Sequence, residues 1–463
     1  MSLKLFDLIK GAGNVLISLT LENWMSFRDP VKFSMIAGRE RHHRERVPKL
    51  GSRLRVLPIS AIYGANASGK SNFYEAFNFA SNFILNPPRK DQFIPVSPFK
   101  LSQKRIAPVS MAFEFLSNEK IYSYSFTTTT REVQREKLAR VYLDGSEKTI
   151  FDLNRMAKHE NVNFPCANKD KKLNDRLNFI LEGASPAQLF INNANSQRLS
   201  LFDDVISWFL SIRIINPTMF FNYGFSANEV DFSVITEYIR NLDTGVNEFF
   251  LAEKKLTKDD IQRWAERLRD ENFTKRVDDL DEGEAISYNY AAIDGYNSSF
   301  ITINKRNGEL FMCQPQTKRF YSETGERVSD WDISLESEGT RRALQLLPII
   351  YFRAKKDALN RVYIVDELDR SLHPEMSQWI IENFLKCCSE KTRSQLIFTT
   401  HNPLLMNQSL LRRDEIWITE REERDNVSRM FSINDFRGLR DDTDIRANYL
   451  MGVFGGTPKI LRG

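Results

Sequence analysis

The sequence predicts an α/β fold: a mixed sheet with flanking helices, an antiparallel β subdomain and an inserted helical segment. Three observations lead there. A glycine-rich turn, "GANASGKS" at residues 64–71, stands between an apolar strand pattern and a helix pattern. Alternating β-branched and aromatic residues crowd residues 109–143, the signature of an antiparallel meander. After Gly339 the pattern runs helix, strand, helix, strand, helix. At 463 residues and 41% hydrophobic content the chain can bury a large core. That length suits two to three domains, or one domain with a large insertion.

The elements follow in order. The opening "MSLKLFDLIKGAGNVLISL" is broken by Asp7 and Lys10, and no stretch of about 18 apolar residues occurs, so neither a signal peptide nor a membrane span is expected. A cytoplasmic protein is the expectation. "NVLISLTLENWMSF" reads as a strand and "VKFSMI" as its antiparallel return. Between 38 and 55 seven Lys and Arg oppose two Glu. That run is either a solvated loop or a source of arginines for nucleotide phosphates or a nucleic acid. "LPISAIYG" is the strand that leads into the glycine-rich turn. "VSMAFEFL", "KIYSYSFTTTT" and "KLARVYLDG" form the meander. From about 155 to 280 the apolar spacing turns helical, with Ile261, Trp264, Leu268 and Val277 as a core-facing stripe. Short strands return at "AISYNYAAI", "SFITIN" and "ELFM".

Composition narrows the function classes only gently. Net charge is +4, from 65 basic and 61 acidic residues, so no polyanion partner is demanded by charge alone. Cys166, Cys313, Cys387 and Cys388 form no CxxC pair, which suits a reducing compartment and ordinary buried or half-buried thiols.

The chemistry gathers in four motifs. "GANASGKS" fits G-x-x-x-x-G-K-[ST] at every specified position. Glycine lets the backbone curl closely around an anion, and successive amides with a helix N-terminus make an anion nest. Gly64, Asn66, Gly69, Lys70 and Ser71 are the binding candidates, Lys70 for β- and γ-phosphates and Ser71 for Mg2+. "RVYIVDELDRSLHP" ends a strand in Asp366, a candidate Mg2+ ligand, and Glu367, a candidate to polarise attacking water. Read alone, that pair could equally cap the following helix. "SQLIFTTHNP" ends a neighbouring strand at His401, placed to hydrogen-bond a terminal phosphate. "LESEGTRRALQLLP" sets Ser337 and Gly339 at a helix start, either a simple cap or a second phosphate grip.

In this order the motifs resemble the ABC-type ATPase head of SMC-like and OLD-like proteins. "LENWMSF" looks like that group's N-F-x-S-F strand. "LESEGTRR", "DELDRSLHP" and the tail "NYLMGVFGGTPKI" look more narrowly like the RloA-type ATPases of bacterial phage-defence loci, which include AbiL-type systems and AriA of the PARIS system. The resemblance implies ATP and Mg2+ bound between two protomers. One would supply Lys70, Ser71, Asp366, Glu367 and His401, and the other its signature Ser337 and Gly339. It divides the chain into 1–150 and 285–463 as halves of the head, with 151–284 as a helical insertion. S-E-G-T replaces the S-G-G-Q of transporters, and His373 stands where they carry a D-loop aspartate. Gln103 and Gln134 are both candidates for the Q-loop glutamine. The implied function is an ATPase that scaffolds a separate TOPRIM-like nuclease from a neighbouring gene and responds to a phage-encoded trigger.

Two other functions compete. An OLD-type nuclease needs a D-x-D pair, for which Asp442, Thr443 and Asp444 offer a formal match in a stretch that reads as a solvated helix start. An SMC-like DNA-repair head would draw on the basic run. A transporter subunit fits least.

Overall fold

The computed structural model describes residues 13–51, 54–89, 92–101, 106–156, 161–217, 232–291, 298–320, 327–351, 361–436, 438–440 and 443–458. In chain order the first half holds β1 (Val15–Glu22), β2 (Val31–Ser34), the short pair β3 (Lys49–Leu50) and β4 (Leu54–Arg55), β5 (Ile59–Tyr63) and α1 (Lys70–Leu85). The meander is β6 (Val109–Ser117), β7 (Lys120–Thr128), β8 (Val133–Val141), β9 (Glu147–Asn154) and β10 (Asn161–Asn163). Then come α2 (Lys171–Glu182), α3 (Phe190–Ser196), α4 (Asp203–Ser211), β11 (Ile212–Ile215), α5 (Phe232–Arg240), β12 (Glu248–Lys255), α6 (Lys258–Leu268) and α7 (Phe273–Asp278). The second half holds β13 (Ala285–Ala291), β14 (Ser298–Arg306), β15 (Glu309–Phe320), β16 (Arg327–Asp332), α8 (Glu338–Tyr351), β17 (Val362–Val365), α9 (Pro374–Leu385), β18 (Gln395–Thr399), β19 (Ile416–Arg421), β20 (Ser428–Ser432) and α10 (Ile445–Leu450).

These elements form the mixed α/β architecture that the sequence predicts. The central sheet has the order β11-β17-β18-β5-β19-β20, parallel throughout except for the antiparallel edge pair β19–β20. "VYIV" and "QLIFT" are continuous apolar runs because both faces of a parallel sheet are covered. Successive side chains serve the two covers in turn: Val362, Ile364 and Ile397 pack with α1, and Tyr363, Val365, Leu396 and Phe398 pack with α9. The antiparallel sheet, order β10-β9-β8-β7-β6-β1-β2, closes over the other side of α1. Tyr122, Tyr124 and Phe126 alternate inward along β7, as expected of a half-buried strand.

Residues 151–284 are not helical throughout, which corrects the sequence reading. β9 and β10 still belong to the antiparallel sheet, and β11 is an edge strand of the parallel sheet, with Ile212 opposite Val362. α4 is core: Trp208 stacks on Phe115 with centroids 4.2 Å apart. Ile261, Trp264, Leu268 and Val277 do pack together on a smaller satellite core against β13, β14 and β15. The strands of that satellite sheet are also longer than the sequence suggests, β15 reaching 12 residues. None of the four cysteines is in a disulfide, with Cys313 buried and the others half-buried. No helix among the described residues is long and apolar enough to cross a membrane.

Candidate functional site

β5 delivers the chain into the turn at the C-terminal edge of the parallel strands. Gly64 has φ 157 and a Cβ there would lie 2.4 Å from the Thr419 carbonyl oxygen on β19, so no side chain fits. Gly69, at φ 116, would place a Cβ 2.6 Å from Ser428 Oγ. Gly69 has no side chain to cap α1, so no N-cap side chain accepts from the first amides of this helix. Lys70 is 5% exposed and donates to the carbonyls of Gly64 at 2.8 Å and Ala65 at 3.0 Å. Burial lowers its pKa to about 8, and the carboxylates of Asp366, Glu367 and Asp369 only partly offset this. A buried cation held by the carbonyls of its own loop attracts an anion strongly.

The acid pair is held by groups that the sequence reading did not name. Thr399 Oγ1, at the end of β18, donates to Asp366 Oδ1 at 2.6 Å and accepts from Glu367 N at 2.8 Å. Arg342 on α8 is buried and donates from Nη2 to the carbonyls of both Asp366 and Glu367 at 2.7 Å. Glu367 itself sits at φ 46, a left-handed conformation that these bonds enforce and that turns its side chain toward the turn. Arg370 pairs with Glu367 at 3.3 Å and with Glu338 at 3.6 Å. Asp369 Oδ1 is buried without a hydrogen-bond partner among the described residues.

Asn66, Gly69, Lys70, Ser71, Glu367 and His401 line one cavity of about 870 Å³. Gly64 and Asp366 stand behind this lining, both buried. His401 has a lowered pKa, first because the cavity partly desolvates it and then because of the Lys70 cation. The residues present therefore fit a polyphosphate with a divalent cation: a glycine cradle, a partly compensated buried lysine, a serine hydroxyl, an aspartate and an orphaned carboxylate oxygen.

A family profile described as "AAA domain, putative AbiEii toxin, Type IV TA system" matches residues 59–407, from β5 to just beyond His401. The chain belongs to this AAA-domain family. Among solved structures, the SMC head domain from Thermotoga maritima aligns at 13% identity and TM-score 0.36, covering 90% of this chain and 98% of that one. The SMC head bound to the C-terminal winged-helix domain of ScpA aligns at 16% identity and TM-score 0.34, with the same coverages. No curated protein matches the sequence.

In this AAA-domain chain Ser337 and Gly339, the signature that the resemblance implies, lie apart from the cavity. Ser337 is exposed and its Oγ accepts from Thr340 N at 3.1 Å, capping α8. Gly339 is required by a close approach, since a Cβ there would meet the Ser371 carbonyl oxygen at 2.8 Å. Neither lines the cavity of its own chain. His373 also caps a helix, its Nδ1 accepting from Glu375 N at 3.3 Å. Gln134 lies on β8 and donates to Glu132 rather than into the cavity; Gln103 lies outside the described residues. Asp444 caps α10 by accepting from Ala447 N at 2.9 Å, as a helix start should, and Asp442 lies outside the described residues.

The remaining walls come from far along the chain: Ser26 from the β1–β2 connection, Lys100, and Arg421 and Asn426 from the β19–β20 hairpin. Ser26 Oγ accepts from Asn72 of α1 at 2.7 Å, which ties "LENWMSF" to the phosphate turn. The tail "NYLMGVFGGTPKI" reaches the same place: a Cβ on Gly456 would lie 3.6 Å from Gly64 Cα.

Proposed function

We propose that the chain is a Mg2+-dependent ATPase whose site is completed by a second copy, acting as sensor and scaffold of a bacterial anti-phage, abortive-infection system of RloA or PARIS type. In the cytoplasm it holds a separate TOPRIM-like effector nuclease from a neighbouring gene and releases it when a phage-encoded trigger is met. One observation carries the ATPase reading. The lysine, serine, glutamate and histidine share a cavity, while the signature serine is exposed on a helix start outside it. The family description, "AAA domain, putative AbiEii toxin, Type IV TA system", fits a chain that acts in a bacterial conflict system.

The chemistry follows from the chain's own groups. Lys70 exchanges the carbonyls of Gly64 and Ala65 for β- and γ-phosphate oxygens and regains its full charge. Ser71 and Asp366 are the groups that would hold Mg2+, which neutralises phosphate charge when bound. Thr399 keeps Asp366 oriented for that task. Glu367 accepts the proton of the attacking water, and His401, neutral at ordinary pH, donates to the terminal phosphate. Ser337 and Gly339 of a second copy then present the start of its α8 to the same phosphates.

Size-exclusion chromatography with light scattering tests this. Glu367→Gln should bind ATP without turnover and accumulate as a dimer or larger assembly, whereas Lys70→Ala should bind no nucleotide and stay unassembled. Wild-type turnover by Glu367→Gln would remove the proposed base. Co-expression with the neighbouring gene should yield a complex; a chain that never associates with that product would remove the scaffold role.

A further inference from the structure

The first half of the basic run, residues 38–46, forms a loop fastened from beneath. Arg412 is 1% exposed and makes a two-pronged pair with Asp414, at 2.8 and 2.6 Å. Its remaining Nη1 donates to the carbonyls of Glu40 and His42 at 3.2 and 2.7 Å. Gly38 N donates to Asp414 at 2.7 Å, and Arg46 donates to the fully buried Glu415 at 2.6 Å. Arg46 and Arg412 are thus used internally, in geometry that is costly to break. Arg39, Arg41 and Arg44 are exposed, with no side-chain hydrogen bond or ion pair among the described residues. Of the nearby acids, Glu40 accepts from Arg413 N and Glu45 stands 3.7 Å from His43.

The loop is remote from the nucleotide cavity. Residues 412–415 lead into the first residue of β19, while the phosphate turn follows the last residue of its parallel neighbour β5. Arg39, Arg41 and Arg44 do not line that cavity, so contact with their own chain's nucleotide is excluded for them. Arg39 and Arg41 border a separate hollow of about 1070 Å³, lined also by Glu40, His42, Gln408, Arg413 and Asn434, and Arg44 stands on the same loop outside it. Among the described residues, no aliphatic side chain and no Phe, Tyr or Trp lines it.

We propose that this loop is a docking surface for the sugar-phosphate backbone of a duplex nucleic acid. Three features select that partner. Exposed guanidinium forks match phosphate oxygens in pairs. A protein partner would be anchored by an apolar or aromatic centre, which this hollow lacks. Single strands are bound by stacking on aromatic rings, also missing here. Binding is therefore governed by charge, indifferent to base sequence and steeply weakened by salt. The proposal does not rest on the ATPase reading, because the two sites lie at opposite ends of the parallel strands.

Fluorescence anisotropy of the full chain over a salt series tests it, with duplex DNA, single-stranded DNA and polyglutamate as probes. The wild type should prefer the duplex, with equal affinity for unrelated sequences. The combined Arg39→Ala, Arg41→Ala, Arg44→Ala variant should lose about tenfold or more in affinity, and its salt slope should fall by about 2 to 3. Its thermal unfolding and nucleotide binding should match the wild type, since none of the three arginines supports the fold or the cavity. Unchanged affinity and slope in the variant would overturn the proposal. So would wild-type binding to polyglutamate but not to duplex, which would reassign the surface to an acidic protein.

Discussion

Lys70 carries a charge that the fold only half compensates, and this makes the site sensitive to pH. Its pKa of about 8 in the free chain means that the cation is lost as pH rises through that value. A bound polyphosphate would hold the proton and raise the pKa, so affinity should fall above about pH 8 and binding there should take up a proton. Calorimetry in buffers of differing ionisation enthalpy measures that uptake; affinity that stays flat across the range would show that Lys70 does not meet the phosphates. Thr399 supports a second expectation. Thr399→Val leaves a buried oxygen of Asp366 without its donor, and should lower Mg2+-dependent turnover by about 10–100-fold while the chain still folds. Kinetics with Mg2+ titrated should place the loss in metal dependence. The lysine, serine and acid pair are legible because their spacing is set by one short turn or one strand end. Thr399 and Arg342 are not, because a threonine in "FTTH" and an arginine in "TRRAL" gain their roles only when β18 and α8 are brought beside β17.

Among the elements, β17 and β18 announce themselves as uninterrupted apolar runs, and the meander β6–β8 by its alternation. β11 does not. Ile212 follows Ser211 with no glycine or proline between them, so the apolar periodicity of α4 flows into the strand unbroken. Pairing with β17, a partner about 150 residues away, ends the helix there. The same reasoning makes α4 a load on the core and not part of a detachable insertion. Trp208→Ala should cost about 3–5 kcal/mol in chemical denaturation, because it empties a site against Phe113, Phe115 and Phe209. A change below about 1 kcal/mol would mean that α4 packs only loosely on the meander.

For the whole molecule the separation of signature and cavity is the decisive arrangement. A Lys70→Ala chain keeps its signature, and a Ser337→Arg chain keeps its cavity. Each should be inactive alone, and mixing them should restore turnover by pairing one intact cavity with one intact signature. No recovery on mixing, with both variants folded, would return the site to a single chain. The sequence shows this only through motif order, since distance between motifs is a property of the assembled sheets.

The glycine-rich turn is walled by Thr419, Ser428 and Gly456, residues that follow it at long range in the chain. A chain that stops before β19 therefore lacks the wall against which its turn is shaped. On the proposed reading, nucleotide binding waits on the hairpin β19–β20, and a copy truncated before it should hold no ATP.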